Sequence, residues 1–193
     1  MKIAISGKMC SGKTTLKEYL KGKFIELDRL LSKDNQTDIA GLPITELSFG
    51  KPIKDMYRKM FYNNPKGDRI AYQNIGDTFR HMDPDVFANY LVKDIQQDTI
   101  ILVDDLRFKN EMDILKKMGF ICIRLDIDKS IQKSRFETLY PEDNFSYSGI
   151  HRSETDLDNA VFDYTINVNK PNGYGDELDK LWNFIITNYT KDI

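Results

Sequence analysis

The feature that most constrains this chain is near its start. A short β-branched run, Lys2 to Ser6, leads into Gly7-Lys8-Met9-Cys10-Ser11-Gly12-Lys13-Thr14, and then into Thr14 to Lys21, where Leu16 and Leu20 lie four apart. A period of two gives way to a period of 3.6 across a loop bounded by glycines, which predicts strand, tight loop and helix in immediate succession. Glycines let such a loop curl until its backbone N–H groups point inward, at a helix N-terminus whose partial positive charge favours anions. Two glycines bracketing four residues, followed by Lys-Thr, is the phosphate-loop pattern. Lys13 is then expected to reach the β- and γ-phosphates of a nucleotide, and Thr14 to offer its hydroxyl to Mg²⁺. Gly7, Ser11, Gly12 and Thr15 belong to the same nucleotide-binding set. Lys8 reads equally well as a phosphate ligand or as a solvated side chain.

Beyond the loop, strands and helices alternate. Thr45 to Phe49 reads as a second strand, and Ile53 to Phe61 as a helix introduced by Pro52. Asp83 and Pro84 open a helix with Val86, Phe87, Tyr90, Leu91 and Ile95 at threes and fours. Thr99 to Val103 is continuous, β-branched and expected to be central in the sheet. Asn110 to Met118 reads as a helix stopped by Gly119, Phe120 to Asp126 as a strand, Lys129 to Thr138 as a helix, Tyr164 to Val168 as the last strand, and Asp176 to Tyr189 as the closing helix. Strands separated by helices require right-handed crossovers, so the expected fold is doubly wound α/β with a mostly parallel sheet. Glu26 to Leu42 and Tyr140 to Ser153 resist this reading and are expected to be mobile surface segments or lids.

The strand ending at Val103 is followed by Asp104 and Asp105. In open α/β sheets ligands collect at the carboxyl ends of strands, so both acids are candidates for a metal beside the phosphate loop. Neighbouring strand residues face opposite ways, so one of the two should meet the metal while the other orients a loop; alternatively both cap the following turn.

Charge and composition exclude other classes. With 28 Lys+Arg against 30 Asp+Glu the net charge is −2, too balanced for a broad basic face that grips polymeric nucleic acid. The apolar runs fall well short of the roughly 20 residues that cross a bilayer, and the start of the chain resembles no signal peptide, so a cytoplasmic, membrane-free protein is expected. Cys10, Cys122, His81 and His151 lack zinc-ligand spacing, and Cys122 reads as a small core residue.

Several segments resemble the bacteriophage-type deoxynucleoside monophosphate kinases. Asp105-Leu106-Arg107-Phe108-Lys109-Asn110-Glu111 is similar to that family's Asp-x-Arg-Phe-x-Asn-Glu signature, and Phe49-Gly50-Lys51-Pro52-Ile53-Lys54 to its Phe-Ala-x-Pro-Leu-Lys. Ile75-Gly76-Asp77-Thr78-Phe79-Arg80 with Asp83-Pro84-Asp85 is similar to its Leu-Gly-Thr…Arg…Asp-Pro-Asp segment. His151-Arg152-Ser153-Glu154 with Leu157-Asp158 resembles its His-x-Ser-Glu…Leu-Asp, and Asp163 to Asn167 its final strand. The departure is Glu26 to Leu42, longer and more polar than the family pattern.

The resemblance implies one phosphate-loop (P-loop) kinase domain over 1–193, with an acceptor-binding region at about 45–97 and a lid at about 135–153. It implies ATP and Mg²⁺ as cofactors and a nucleoside monophosphate as acceptor; whether the chain pairs into a homodimer is left open. Bringing two phosphate anions together calls for positioning and electrostatic shielding, for which arginine forks are suited. Arg80 and Arg107 are assigned to the acceptor phosphate by resemblance, with Lys54 beside them. Arg135 and Arg152 flank the lid; for them, as for Arg107, pairing with an acid is the alternative. Gln73 or Asp85 is placed to read the base, Glu154 to orient the lid or cap a helix, and Asn167 to begin the loop where related kinases hold adenine. Other acceptors remain as alternatives, such as phosphomevalonate or dephospho-coenzyme A, and so does a slow nucleotide switch.

Overall fold

A computed structural model describes residues 1–34, 41–63, 69–142, 145, 151–169 and 175–189. The elements run β1 (Lys2–Gly7), α1 (Lys13–Asp34), β2 (Ile44–Leu47), α2 (Lys51–Met60), α3 (Arg69–Met82), α4 (Val86–Val92), β3 (Ile100–Leu106), α5 (Lys109–Lys117), β4 (Ile121–Asp126), α6 (Lys129–Leu139), a 3₁₀ turn (Arg152–Glu154), β5 (Tyr164–Asn167) and α7 (Gly175–Tyr189). The five strands form one parallel sheet in the order β2-β3-β1-β4-β5. This is the expected doubly wound α/β fold. The strand with the strongest buried signal, β3, lies one place from the middle, and β1 holds the centre.

Strand alternation divides the core between the two faces. Ile3, Ile5, Ile100, Leu102, Ile123, Leu125 and Ile166 face α1 and α7 through Leu16, Leu20, Phe24, Leu181 and Ile185. Ala4, Ile101, Val103 and Cys122 face the other way, onto Ile53, Phe87, Leu91, Met112 and Leu115 of α2, α4 and α5. Each such Leu, Ile or Phe side chain contributes about 1.5–3 kcal/mol on burial. Because every strand points its carboxyl end the same way, the loops after β1, β3, β4 and β5 gather at one rim. Cys122 is fully buried, as expected of a core residue, and burial pushes its thiol up to about 12.

Three expectations are corrected. Much of the Glu26 to Leu42 segment continues α1 as far as Asp34; Phe24, two residues before that segment, is held edge-on against Trp182 at 5.0 Å, which anchors the helix onto α7. Residues 35–40 lie outside the described set, as do 143–144 and 146–150 of the Tyr140 to Ser153 segment. The helix α3 was not anticipated between α2 and Asp83. Its apolar side, Tyr72 and Ile75, packs onto the core beneath α2, and Tyr72 meets Tyr57 edge-on at 5.3 Å. Finally, β2 ends at Leu47 because the next residues turn to donate to Asp105, described below. Among the described residues no helix is long and apolar enough to cross a membrane.

Candidate functional site

The loop at the end of β1 is shaped by what fills it. A Cβ on Gly7 would come within 2.5 Å of Ser11 Oγ and 2.9 Å of the Leu125 carbonyl oxygen, so only glycine fits. Gly12 has φ +93°, and Cys10, a residue with a side chain, is held at φ +61°. The Ser11 hydroxyl is buried and has no hydrogen-bond partner. A buried polar group of this kind costs free energy until it is satisfied, and an orphaned hydroxyl just before the N-terminus of α1 suits an anion. The Lys13 ammonium folds back onto the loop, donating to the carbonyl oxygens of Gly7 at 2.7 Å and Lys8 at 2.8 Å. By exposed area the residue is intermediate, yet its ammonium is enclosed. Burial pulls it down to about 7, Arg107 adding to the effect while Glu154 and Asp104 oppose it.

The two acids after Val103 have divided their work. Asp104 Oδ2 accepts from Thr14 Oγ1 at 3.1 Å and lies 3.3 Å from Lys17 Nζ, one turn along α1. Asp105 faces the other way, accepting from Ser48 Oγ at 2.6 Å, Phe49 N at 3.0 Å and Gly50 N at 2.8 Å. With both its oxygens engaged, Asp105 shapes the entry to α2, so of the two acids it is the one that orients a loop, and Asp104 is the one left beside the phosphate loop. Among the described residues no group of three or more His, Cys, Asp or Glu could hold a metal by itself. The Thr14–Asp104 pair supplies two oxygens at the mouth of a phosphate loop, a donor set that fits Mg²⁺ sharing substrate phosphates.

Glu154 ends the 3₁₀ turn with its carboxylate turned into the protein. It is 4% exposed; one oxygen takes the amide of Met9 at 2.7 Å, and the other is paired with the Arg107 guanidinium. Arg107 also reaches the Ser153 carbonyl oxygen at 3.4 Å. Beside this link, Lys8 pairs with Asp158 at 3.0 Å, and Asp158 in turn takes Arg124, whose other nitrogen donates to Ser6 Oγ at 3.1 Å. The segment leading back to β5 is thus fastened to the phosphate loop at two points.

On the arm between β2 and β3, Arg80 lies over the ring of Phe108 at 3.9 Å and of Phe87 at 4.7 Å, with Nη2 3.4 Å from Glu111. Glu111 is buried; its second oxygen takes the amides of Arg107 and Phe108, both at 3.1 Å. Burial raises its carboxyl to about 7, against the pull of Arg80 and those amides. Asp85 stands at the N-terminus of α4 and accepts from Asn110 Nδ2 at 2.8 Å, so it braces α4 to α5. Lys54 is exposed and Gln73 half-buried. His151 Nε2 meets Asp77 Oδ2 at 2.9 Å, joining the 3₁₀ turn to α3.

Arg135 of α6 donates to the carbonyl oxygens of Cys10 at 3.4 Å and Val168 at 2.9 Å, spanning the phosphate loop and the end of β5. Arg152 is 71% exposed and paired with Asp156 at 2.9 Å. Asn167 is exposed, its Oδ1 taking the amide of Asn169 at 3.0 Å, and Thr15 is exposed on the first turn of α1. Sequence reasoning overlooked Lys17, and took Glu111 and Asp158 only as members of the family-like segments, with no role of their own. For Lys17 a signal existed, since it follows Lys13 by four residues and shares its helix face.

Neither a family model nor a curated protein matches the sequence. Solved structures do match in fold. A gluconokinase from Sinorhizobium meliloti 1021 superposes with a TM-score of 0.51 at 16% identity, covering 100% of this chain and 97% of that one. Shikimate kinase from Acinetobacter baumannii, in complex with shikimate, gives 0.51 at 18% identity, covering 97% and 93%. The architecture is therefore the α/β P-loop kinase fold, with a five-stranded parallel sheet flanked by helices.

Proposed function

We propose that the chain is an ATP-dependent phosphotransferase acting on a deoxynucleoside 5′-monophosphate, which it converts to the diphosphate. The observation that carries this reading is the convergence on one loop residue, Met9, of the phosphate loop and of Arg107 from the end of β3, joined by the buried Glu154 carboxylate. That link, in this reading, sets Arg107 beside the donor's loop, where an acceptor phosphate would be brought.

In this reading the β- and γ-phosphates lie against the end of the loop and the first turn of α1. The Lys13 ammonium exchanges the two carbonyl oxygens it now holds for phosphate oxygens, and the Ser11 hydroxyl gains the partner it lacks. Thr14 and Asp104 would hold Mg²⁺, which when bound offsets the charge developing on the bridging oxygens. Arg107 binds the acceptor phosphate, with Lys54 at the arm's rim and Gln73 toward the base. Arg135 reaches the loop from α6, and Arg152, exposed and paired with Asp156, would have to leave that carboxylate to meet the transferring phosphoryl group. Little covalent chemistry is asked of the protein, so its contribution is orientation and shielding of like charges.

The reading is supported by the number of cations near the loop, which suits an acceptor that is itself a phosphate. A neutral or singly charged metabolite would need fewer. The experiment is an acceptor panel with labelled ATP: dAMP, dCMP, dGMP, dTMP, phosphomevalonate, dephospho-coenzyme A, gluconate and shikimate. Transfer to at least one deoxynucleoside monophosphate is expected, and transfer only to a non-nucleotide overturns the reading.

A further inference from the structure

A phosphate acceptor calls for guanidinium groups, and on the arm between β2 and β3 the helix α3 offers two arginines on one face. Residues 69, 73, 76 and 80 are spaced four, three and four apart, so Arg69, Gln73, Gly76 and Arg80 share a single stripe. At 1.5 Å per residue the stripe is about 16 Å long.

The two arginines sit in opposite surroundings. Arg80 is enclosed: rings of Phe87 and Phe108 cover it, Glu111 takes its charge, and Gly76 leaves it room, since a Cβ there would come within 2.8 Å of Arg80 Nη1. Its side chain is 16% exposed. A guanidinium so committed braces α3 against α4 and α5. Arg69, at the other end, donates through Nη1 to the sulfur of Met9 at 2.9 Å. A thioether is a weak acceptor, and among the described residues Arg69 has no carboxylate partner. Its charge falls instead on Cys10 of the phosphate loop, together with those of Lys13 and Arg135.

Met9 is also the residue to which Glu154 ties Arg107. Two guanidinium groups from separate elements therefore approach the same loop residue, one held by a carboxylate and one by sulfur. A guanidinium resting through one nitrogen on a soft, poor acceptor can be transferred to an oxyanion at small cost.

We propose that Arg69 is a substrate-binding residue, gripping the acceptor's phosphate opposite Arg107, and that Arg80 is a positioning residue that fixes the helix carrying it. This assignment rests on the acceptor being a phosphate monoester, as in the function proposed above.

The test compares the wild-type protein with Arg69→Ala, Arg69→Lys and Arg80→Ala. Thermal midpoints and magnesium–ATP affinity by calorimetry are measured first, then steady-state kinetics with dAMP, dCMP, dGMP and dTMP. Arg69→Ala is expected to keep the wild-type midpoint and ATP affinity while losing about 100-fold in kcat/KM for the acceptor, chiefly through KM. Arg69→Lys recovers part of the loss, because an ammonium restores the charge without the fork. Arg80→Ala shows its loss first in the midpoint. Wild-type acceptor kinetics in Arg69→Ala, or equal losses toward ATP and acceptor, overturn the assignment alone. A wild-type protein that binds magnesium–ATP yet phosphorylates none of the four overturns the monophosphate reading, and the assignment with it.

Discussion

Glu154 and Arg107 form an ion pair, buried on the carboxylate's side, and the carboxylate also accepts the Met9 amide, so one side chain holds an arginine from the end of β3 to the main chain of the phosphate loop. The two residues are 47 positions apart in sequence and come from different loops. A charge pair of this kind is costly to break by halves, because the remaining partner is left uncompensated in a poorly solvated place. Glu154→Ala is expected to destabilise the fold by about 3 kcal/mol, read as a lowered denaturation midpoint. Glu154→Gln, which keeps an acceptor for Met9, should lose less stability, while both variants lose turnover. An unchanged midpoint in Glu154→Ala would remove the link from the account.

Lys13→Ala should abolish turnover, by a factor of at least about 10², without loss of stability. The ammonium is enclosed and pulled down to about 7, so its removal relieves a desolvated charge. Denaturation midpoint and turnover measured on the same preparation separate the two effects.

The same depression predicts a proton linkage. A lysine whose folded pKa lies below its unfolded value weakens the fold as pH falls from about 10.5 toward 7, because the unfolded chain binds more protons there. Phosphate binding requires the charged form, so nucleotide uptake at pH 8 is expected to absorb a proton. Calorimetry in buffers of different ionisation enthalpy reads this directly, and no buffer dependence counts against it.

Glu111 has the opposite sign. Burial raises its folded pKa to about 7, so the protonated acid stabilises the fold fully below about 4.5 and this contribution is lost as pH rises through 7. Across that window the loss is on the order of 3 kcal/mol. Glu111→Gln should flatten the fall in stability between pH 5 and 7.5 in denaturant titrations.

Gly7→Ala is expected to cost about 1–3 kcal/mol and to eliminate nucleotide binding. The added Cβ meets the Leu125 carbonyl oxygen at 2.9 Å, and that backbone belongs to a central strand pair that does not give way. Wild-type ATP affinity in this variant would show that the loop opens more easily than its packing implies.

Where local pattern decides structure, the sequence was readable. The phosphate loop, the buried run of β3, the helix stop at Gly119 and the amphipathic α7 are all set by neighbours within a turn or two, as Gly119 at φ +79° illustrates. The extension of α1 and the existence of α3 were not readable in the same way. Both depend on partners distant in the chain, Trp182 for Phe24 and Tyr57 for Tyr72, and their own periodicity is blurred by polar residues.

The order of residues alone determined that an anion-binding loop would join the first strand to the first helix, because glycine spacing and a helix N-terminus act over eight consecutive residues. Only the tertiary structure decided which charged side chains serve that loop. Asp104 and Asp105 are adjacent in sequence yet face opposite partners, and Arg69 and Arg80 share one helix face, but the first rests on the loop's sulfur and the second is sealed between two rings. A side chain's role here is set by what lies across the gap from it, and that is fixed when strands and helices pack, since Coulomb and hydrogen-bond energies depend on distance in space and not along the chain.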